Sequence, residues 1–555
     1  ALLDFDGDLD LDLFIGAIQG QRLLSAPCLY MNVSVPGNVA FEPHPLLCGW
    51  DQPGGAAGVG FDVDGDGADE LVTLGPGHAK LYRSTGQGVD TVDLLEALTP
   101  DDPRRNMVMS TALPVDLNMD GRLDLHVGIL TVDLVQNAPN FSLLQSEDGV
   151  FRLADDPAYS TLESTGSTLA IGSLDVDNDG LHDILVANDS FTSRGIAGRG
   201  IPGHTLFRCS PLGDCLFQDR NFDEGIFAWG SYMGFGSPQV RGQGQLLYIS
   251  DLGPNRFLSW DRHTPTERGP EYGVELNTHG HLLASWAVLV DDFDNNGLDD
   301  LFVSQGDLGE SPVDTANSLD HQDVLLMQSG DGNFGIVVPD ESGLAVHNHE
   351  DAHDDTLVYM PRGGAKADLD HDGHLDLMTT ALRGAVRFQR EVATRDHSPQ
   401  RCTLVPRARY VPGQGHGYAW SRSIDEPLRR WDIQGQTRWG TAPWVLVPAQ
   451  QGRIQFPSGY QQEFDCQQGH GPVILEEPEW IVLSLQDGVL EIRLDAPWFN
   501  NRPLILVATL DEQGRFSQQL GQPTEPGTWV INIESEQYIM LRIGTRWVQR
   551  WFPLL

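Results

Sequence analysis

Apolar residues along the chain come in short runs, cut by turns rich in Asp, Gly and Pro. Segments such as GVGFDV (58–63) and ELVTLG (70–75), or WAVLVDDF (286–293) and LFVSQG (301–306), read as β-strands. No run approaches the roughly 20 apolar residues of a membrane-spanning helix. From 471 on the alternation is cleaner. WIVLSLQDGVLEIRL (480–494) predicts two strands around Asp487-Gly488, a strong hairpin signal. RPLILVATL, GTWVINI and YIMLRIG continue the period of two. The whole pattern predicts an all-β protein.

Between the earlier strands one ten-residue pattern recurs. It reads DFDGDLDLDL from Asp4, DVDGDGADEL from Asp62, DLNMDGRLDL from Asp116, DVDNDGLHDI from Asp175, DFDNNGLDDL from Asp292 and DLDHDGHLDL from Asp368. Positions 1, 3, 5 and 9 always carry Asp, Asn or Glu; position 6 is Gly except at Leu9. Calcium takes six to eight oxygens at about 2.3–2.6 Å, and a tight loop of this spacing aims those four side chains at one centre. Position 7 varies freely (Asp10, Ala68, Arg122, Leu181, Leu298, His374), as expected where only a backbone carbonyl is offered. The other expected donors are Asp4, Asp6, Asp8 and Asp12; Asp62, Asp64, Asp66 and Glu70; and Asp116, Asn118, Asp120 and Asp124. Asp175, Asp177, Asp179 and Asp183, then Asp292, Asp294, Asn296 and Asp300, then Asp368, Asp370, Asp372 and Asp376 complete them. The expectation is six structural Ca²⁺.

An EF-hand needs a bidentate Glu at position 12 and flanking helices. Here position 12 is Ile15, Thr73, Val127, Val186, Val303 or Thr379, and the flanks are strands. The loop therefore joins two strands. Successive copies start 58, 54, 59, 117 and 76 residues apart. The interval of 117 is two periods, and QVRGQGQLLY from Gln239 lies near its middle. Gln239, Arg241, Gln243 and Leu247 replace the donors there, so this unit should keep a hairpin and bind no metal. Seven units of this length suit four-stranded blades, and a closed ring of seven leaves no exposed sheet edge. A linear β-solenoid is the alternative. Only Ala1, Leu2 and Leu3 precede the first loop, so the first innermost strand should be nearly missing and the chain trimmed.

These loops, set between strands at blade spacing, resemble the FG-GAP/VCBS repeats of integrin-α-like calcium-binding propellers. SYMGFG and SDLGPNRFL, around the degraded loop, resemble bacterial members. The resemblance implies a seven-bladed propeller over 1–390. After a polar linker at 391–401, GQGHGYAWS, WVLVPAQ and GRIQFPSGYQQEF make 402–470 resemble an ASPIC/UnbV module. Residues 471–555 then form a small antiparallel sandwich-like module. Its five Trp (Trp480, Trp498, Trp529, Trp547, Trp551) are read as core rather than as a ligand platform.

The charge balance narrows the partners. Thirty-five basic against 79 acidic residues give −44, which excludes nucleic acid. Six cysteines with no CxxC point to three disulfides and an oxidising location (secreted, periplasmic or cell-surface); of the 15 connectivities the sequential one, Cys28–Cys48, Cys209–Cys215 and Cys402–Cys466, is the simplest, and six reduced thiols in a cytosolic protein are the alternative. His347, His349 and His353, beside acidic residues, are a candidate second metal site; a solvated loop of titrating histidines is the plainer reading. Asn-x-Ser sequons stand at Asn32, Asn140 and Asn188. No GxSxG, HExxH or Walker motif occurs. The favoured function is a non-enzymatic recognition or adhesion module for a glycan or protein ligand. An architectural subunit of a surface assembly and a polysaccharide-active enzyme are the alternatives.

Overall fold

The computed structural model describes residues 1–16, 26–49, 57–118 (except 87), 122–130, 138–155, 166–174, 183–189, 205–208, 217–218, 230–276 (except 262–263), 284–306 (except 295), 323–337, 361–381, 386–389 and 401–407. Beyond these it describes 417–421, 429–432, 445–447, 449, 451–456, 460–466, 472–478, 481–486, 489–494, 505–510, 516–520, 522–525, 528–532, 538–543 and 546–553.

Seven antiparallel sheets follow one another up to residue 389 and form a seven-bladed propeller. Blade 1 holds Leu2–Leu3, Asp12–Ile15, Cys28–Asn32 and Phe41–Cys48; blade 2 holds Ala57–Phe61, Glu70–Gly75, His78–Ser84 and Val89–Asp93. Blade 3 runs from Val108–Val115 to Phe151–Leu153, and blade 4 from Thr168–Leu174 to Phe217–Gln218. Blade 5 comprises Gly234–Gly236, Leu247–Ser250, Arg256–Asp261 and Thr264–Glu267. Blade 6 comprises Ala284–Asp291, Asp300–Gly306, Val324–Gln328 and Phe334–Val337. Blade 7 comprises, among the described residues, Pro361–Ala367, Asp376–Ala381 and Arg387–Gln389. The degraded unit is blade 5, and its loop forms the expected hairpin, Gln239–Val240 pairing with Gly244–Gln245. The first innermost strand is indeed only two residues long.

The core lies between blades rather than within them. Leu289 and Phe302 of blade 6 pack on Leu375 and Leu377 of blade 7. Leu2, Leu11 and Leu13 of blade 1 pack on Ala365, Ala367 and Met378 of blade 7, which closes the ring. An inner strand is thus covered on both faces, and Ala284–Asp291 is buried almost throughout. That explains why the inner strands read as continuous apolar runs rather than as alternating ones. Close approach also dictates Gly58 and Gly60 in blade 2: a Cβ at either would collide with Phe14 or Leu3 of blade 1.

Among the described residues four further sheets lie C-terminal. Cys402–Arg407 pairs antiparallel with Val445–Val447 and parallel with Val473–Glu476. Gly417–Ser421 lies between Arg429–Asp432 and Gln451–Gln455. Ile481–Gln486 and Val489–Leu494 form the expected hairpin, Gln486 opposite Val489. Val489–Leu494 alternates exposed and buried side chains, so one face meets a core and the other meets water. Trp529 is buried, as expected of core.

Candidate metal-binding loops

Each acidic decapeptide connects the first and second strands of its blade. In all six, position 9 pairs with the residue just before position 1: Leu3↔Asp12, Phe61↔Glu70, Val115↔Asp124, Leu174↔Asp183, Asp291↔Asp300 and Ala367↔Asp376. Every loop thus closes on the same pair, and its donors start from the same geometry.

Backbone N–H groups then shape the turn. Asp4 accepts from Gly7 N (2.9 Å) and Leu9 N (3.1 Å), Asp62 from Gly65 N (2.6 Å) and Gly67 N (3.0 Å). Asp292 accepts from Gly297 N (2.8 Å), and Asp368 from Gly373 N (3.0 Å). Position 6 is left-handed at Gly67, Gly297 and Gly373 (φ 96°, 88° and 85°). Leu9 adopts the same region (φ 70°), at a cost of roughly 1–2 kcal/mol that glycine avoids.

Position 9 has a second task that the motif does not reveal. One oxygen of Asp12 accepts from Phe5 N (3.0 Å) and the other from Asn32 N (2.8 Å). Asp124 likewise binds Leu117 N and Gln145 N, both at 2.8 Å, and Asp300 binds Phe293 N (2.9 Å) and Gln328 N (2.7 Å). This carboxylate pins the loop to the third strand while lone pairs remain for a ligand.

The loop carboxylates converge. Oxygens of Asp4, Asp6 and Asp8 lie within 4.8 Å of one another, as do those of Asp62, Asp64 and Asp66, of Asp292, Asp294 and Asp300, and of Asp368, Asp370 and Asp376. Position 5 joins the group in the first two loops and position 9 in the last two. Asn296 instead donates to Asp294 Oδ2 (3.0 Å) and the Gln328 carbonyl (3.1 Å). Asp116, Asp124 and Asp183 are buried. Asp120, Asp175, Asp177, Asp179 and Leu181 lie outside the described residues.

These groups fit a hard cation. All are oxygen donors, and Asp292, only 4% exposed, leaves Oδ1 without a hydrogen-bond partner. Without a bound cation, burial pushes Asp4, Asp292 and Asp368 up to about 7, against Arg401 at Asp292 and His371 at Asp368, and Asp12 and Asp376 up to about 8. Neighbouring carboxylates add to the rise in each case. In the Asp62 loop, Arg83 supplies part of the countercharge, its Nε 2.8 Å from Glu70 and 3.2 Å from Asp64.

Neighbouring loops are stitched together. Amides that end third strands reach the preceding blade: Asn32 Nδ2 to Leu369 O (2.9 Å), Gln145 Nε2 to Val63 O (3.1 Å) and Gln328 Nε2 to Gln239 O (3.1 Å). Position 8 does the same where it is Asp: Asp69 accepts from Asp4 N (3.0 Å) and Asp299 from Gln239 N (2.7 Å). His371 Nε2 stands 2.6 Å from Asp10 Oδ1, joining the Asp368 loop to the Asp4 loop. Beside the Asp292 loop, Asp291 is buried between Lys366 and Arg401. Burial would raise its carboxyl, but those two cations hold it below the ordinary range. The amides were legible only as a recurring Asn or Gln after LYM, SLL and LLM; the role of Arg401 carried no sequence signal.

Of the other candidates, Cys28–Cys48 and Cys402–Cys466 are disulfide-bonded. Cys209, Cys215, His347, His349 and His353 lie outside the described residues. The sequon asparagines are buried, at 6% (Asn32), 0% (Asn140) and 1% (Asn188) exposure, and their side chains make structural hydrogen bonds. Among the described residues no helix is long and apolar enough to cross a membrane.

Residues 62–127 match the FG-GAP-like repeat family; they run from the acidic loop of blade 2 into the second strand of blade 3. No curated protein matches the chain in sequence. Among solved structures it is similar to an Agrocybe aegerita lectin whose structure concerns recognition of non-reducing terminal N-acetylglucosamine (14% identity, TM-score 0.34, 69% of this chain and 94% of that one). It is also similar to the extracellular domains of a one-component system (9%, TM-score 0.35, 96% and 76%) and of a hybrid two-component system (10%, TM-score 0.34, 97% and 64%), both from B. thetaiotaomicron.

Proposed function

We propose that this chain is a secreted or cell-surface, calcium-stabilised FG-GAP-type propeller that acts as a non-enzymatic recognition module for a glycan or protein ligand. The observation that carries it is the contrast between the two faces. On one, six loops of eight residues close on the same strand pair, and among the described residues four of them bring three carboxylates together. On the other, antiparallel strands must deliver the connections between second and third strands, and these run from Pro76–Gly77 in blade 2 to 307–323 in blade 6. Constancy is expected of a scaffold, and variation of a surface fitted to a ligand.

Calcium, when bound, would neutralise the converging carboxylates. Asp4, Asp6 and Asp8, and their counterparts in the other loops, would hold it; the Gln239 loop, lacking carboxylates, would not. The two disulfides support an oxidising compartment, and Cys209–Cys215 is proposed as a third. We assign 1–390 to the propeller, 391–401 to a linker, 402–470 to an ASPIC/UnbV-like module and 471–555 to a sandwich-like module. A glycan array and a surface-protein panel, probed with calcium-loaded protein, test the function. Saturable binding to one class supports it; turnover of an acidic polysaccharide instead sinks it.

A further inference from the structure

We infer that the acidic-loop face is the seat of the C-terminal sheets, and that calcium in the loops decides whether the seat is occupied. The inference rests on the calcium reading above. One six-residue strand, Cys402–Arg407, makes the contact. At its start, Arg401 N donates to the carbonyl of Gly373, position 6 of the Asp368 loop (2.8 Å). Its guanidinium, with the side chain 2% exposed, donates to Asp291 Oδ1 (2.8 Å) and to the carbonyl of Asp292, position 1 of the preceding loop. Midway, Val405 packs on the cluster of Leu11, Leu13 and Met378 that joins blades 7 and 1. At the end, Arg407 fills the space that a side chain at Gly67, position 6 of the Asp62 loop, would need. A single strand thus crosses from blade 6 to blade 2, over the ring closure.

Two of these anchor points are loop carbonyls and a third is a loop glycine, so they hold their places only while the loops keep their shape. Converging carboxylates without a cation repel, and the turn that carries them must open. Arg401 then loses the Asp292 and Gly373 carbonyls, its guanidinium keeps only an Asp291 it shares with Lys366, and in a buried site an under-partnered charge is costly enough to favour its release to water. Because Arg401 leads directly into the strand that carries Val405, release takes the three-stranded sheet built on Cys402–Arg407 with it. Docking is therefore a two-state property set by loop occupancy rather than a permanent join.

Limited trypsinolysis of the full chain, with and without chelator, tests this at a temperature where the chelated protein keeps its far-UV circular dichroism. Chelation should open the Arg401–Cys402 bond while Lys366, held in a blade 7 strand and paired with Asp291, stays uncut, and the radius of gyration by small-angle scattering should rise. An Arg401→Ala chain should show the larger radius even in calcium, with its calcium count by native mass spectrometry unchanged. Simultaneous cutting at Arg401 and Lys366, or an Arg401 that resists in the chelated protein, overturns the inference. A chain that binds no calcium overturns the reading beneath it as well; six bound ions with an indifferent Arg401 overturn this inference alone.

Discussion

Asp292→Asn should change stability in opposite directions with and without calcium. Asp292 is 4% exposed, its Oδ2 accepts from Gly297 N, its Oδ1 has no hydrogen-bond partner, and its carboxylate lies beside those of Asp294 and Asp300. Burial, chiefly, lifts its carboxyl from 3.8 to about 7 in the metal-free protein, although Arg401 opposes the rise. A group whose folded value lies above its unfolded one binds more protons when folded. Its favourable contribution is present below about pH 4 and is lost as pH rises through about 7. Three units correspond to about 4 kcal/mol of frustration at pH 8, and relaxation of the loop should leave about 2 kcal/mol observable. Asparagine keeps the acceptor for Gly297 N, and its amide can donate to the two carboxylates. The metal-free variant should therefore be more stable than metal-free wild type at pH 8, by about 2 kcal/mol. At pH 5 the difference should shrink. In calcium the variant should be less stable, by up to the binding term, about 2.7 kcal/mol at a hundredfold excess over Kd. Urea unfolding of dialysed and calcium-loaded protein at pH 5 and pH 8 measures all of these. Equal destabilisation of both forms would refute the claim that these carboxylates are mutually frustrated and await a cation.

Three other outcomes follow from the same geometry. Chelation should lower Tm sharply; Ca²⁺ should restore it and Mg²⁺ should do so poorly, because Mg²⁺ demands stricter octahedral geometry, and elemental analysis should find about six calcium ions per chain, one for each complete loop. Gln145→Leu removes the bond to the Val63 carbonyl across blades 2 and 3 and should cost about 1–3 kcal/mol by urea titration, while a neutral result would assign the amide no role in the ring. Asn32, Asn140 and Asn188 should stay unglycosylated in protein folded before exposure to the modifying enzyme, and a glycan on Asn140 by peptide mapping would contradict its burial.

The repeat was legible because each loop is a local device: its donors, its glycine and its closing pair lie within ten residues, so ligand chemistry and turn geometry leave a mark at fixed spacing. Seven units, the degraded loop at Gln239, the two-residue first strand and the hairpin at 481–494 follow from local pattern in the same way. The sequence alone also carried the Cys28–Cys48 and Cys402–Cys466 pairs, whose partners are the nearest cysteines in the chain. What joins the units is not local. Asn32 and Leu369 are 337 residues apart and meet only because the ring closes. The dual role of position 9 appears only when the third strand lies alongside it, and Arg401 meets Asp291 across 110 residues in a buried contact that exists only once the chain has folded. Burial makes these contacts, and the chain alone does not say which surfaces will be buried together.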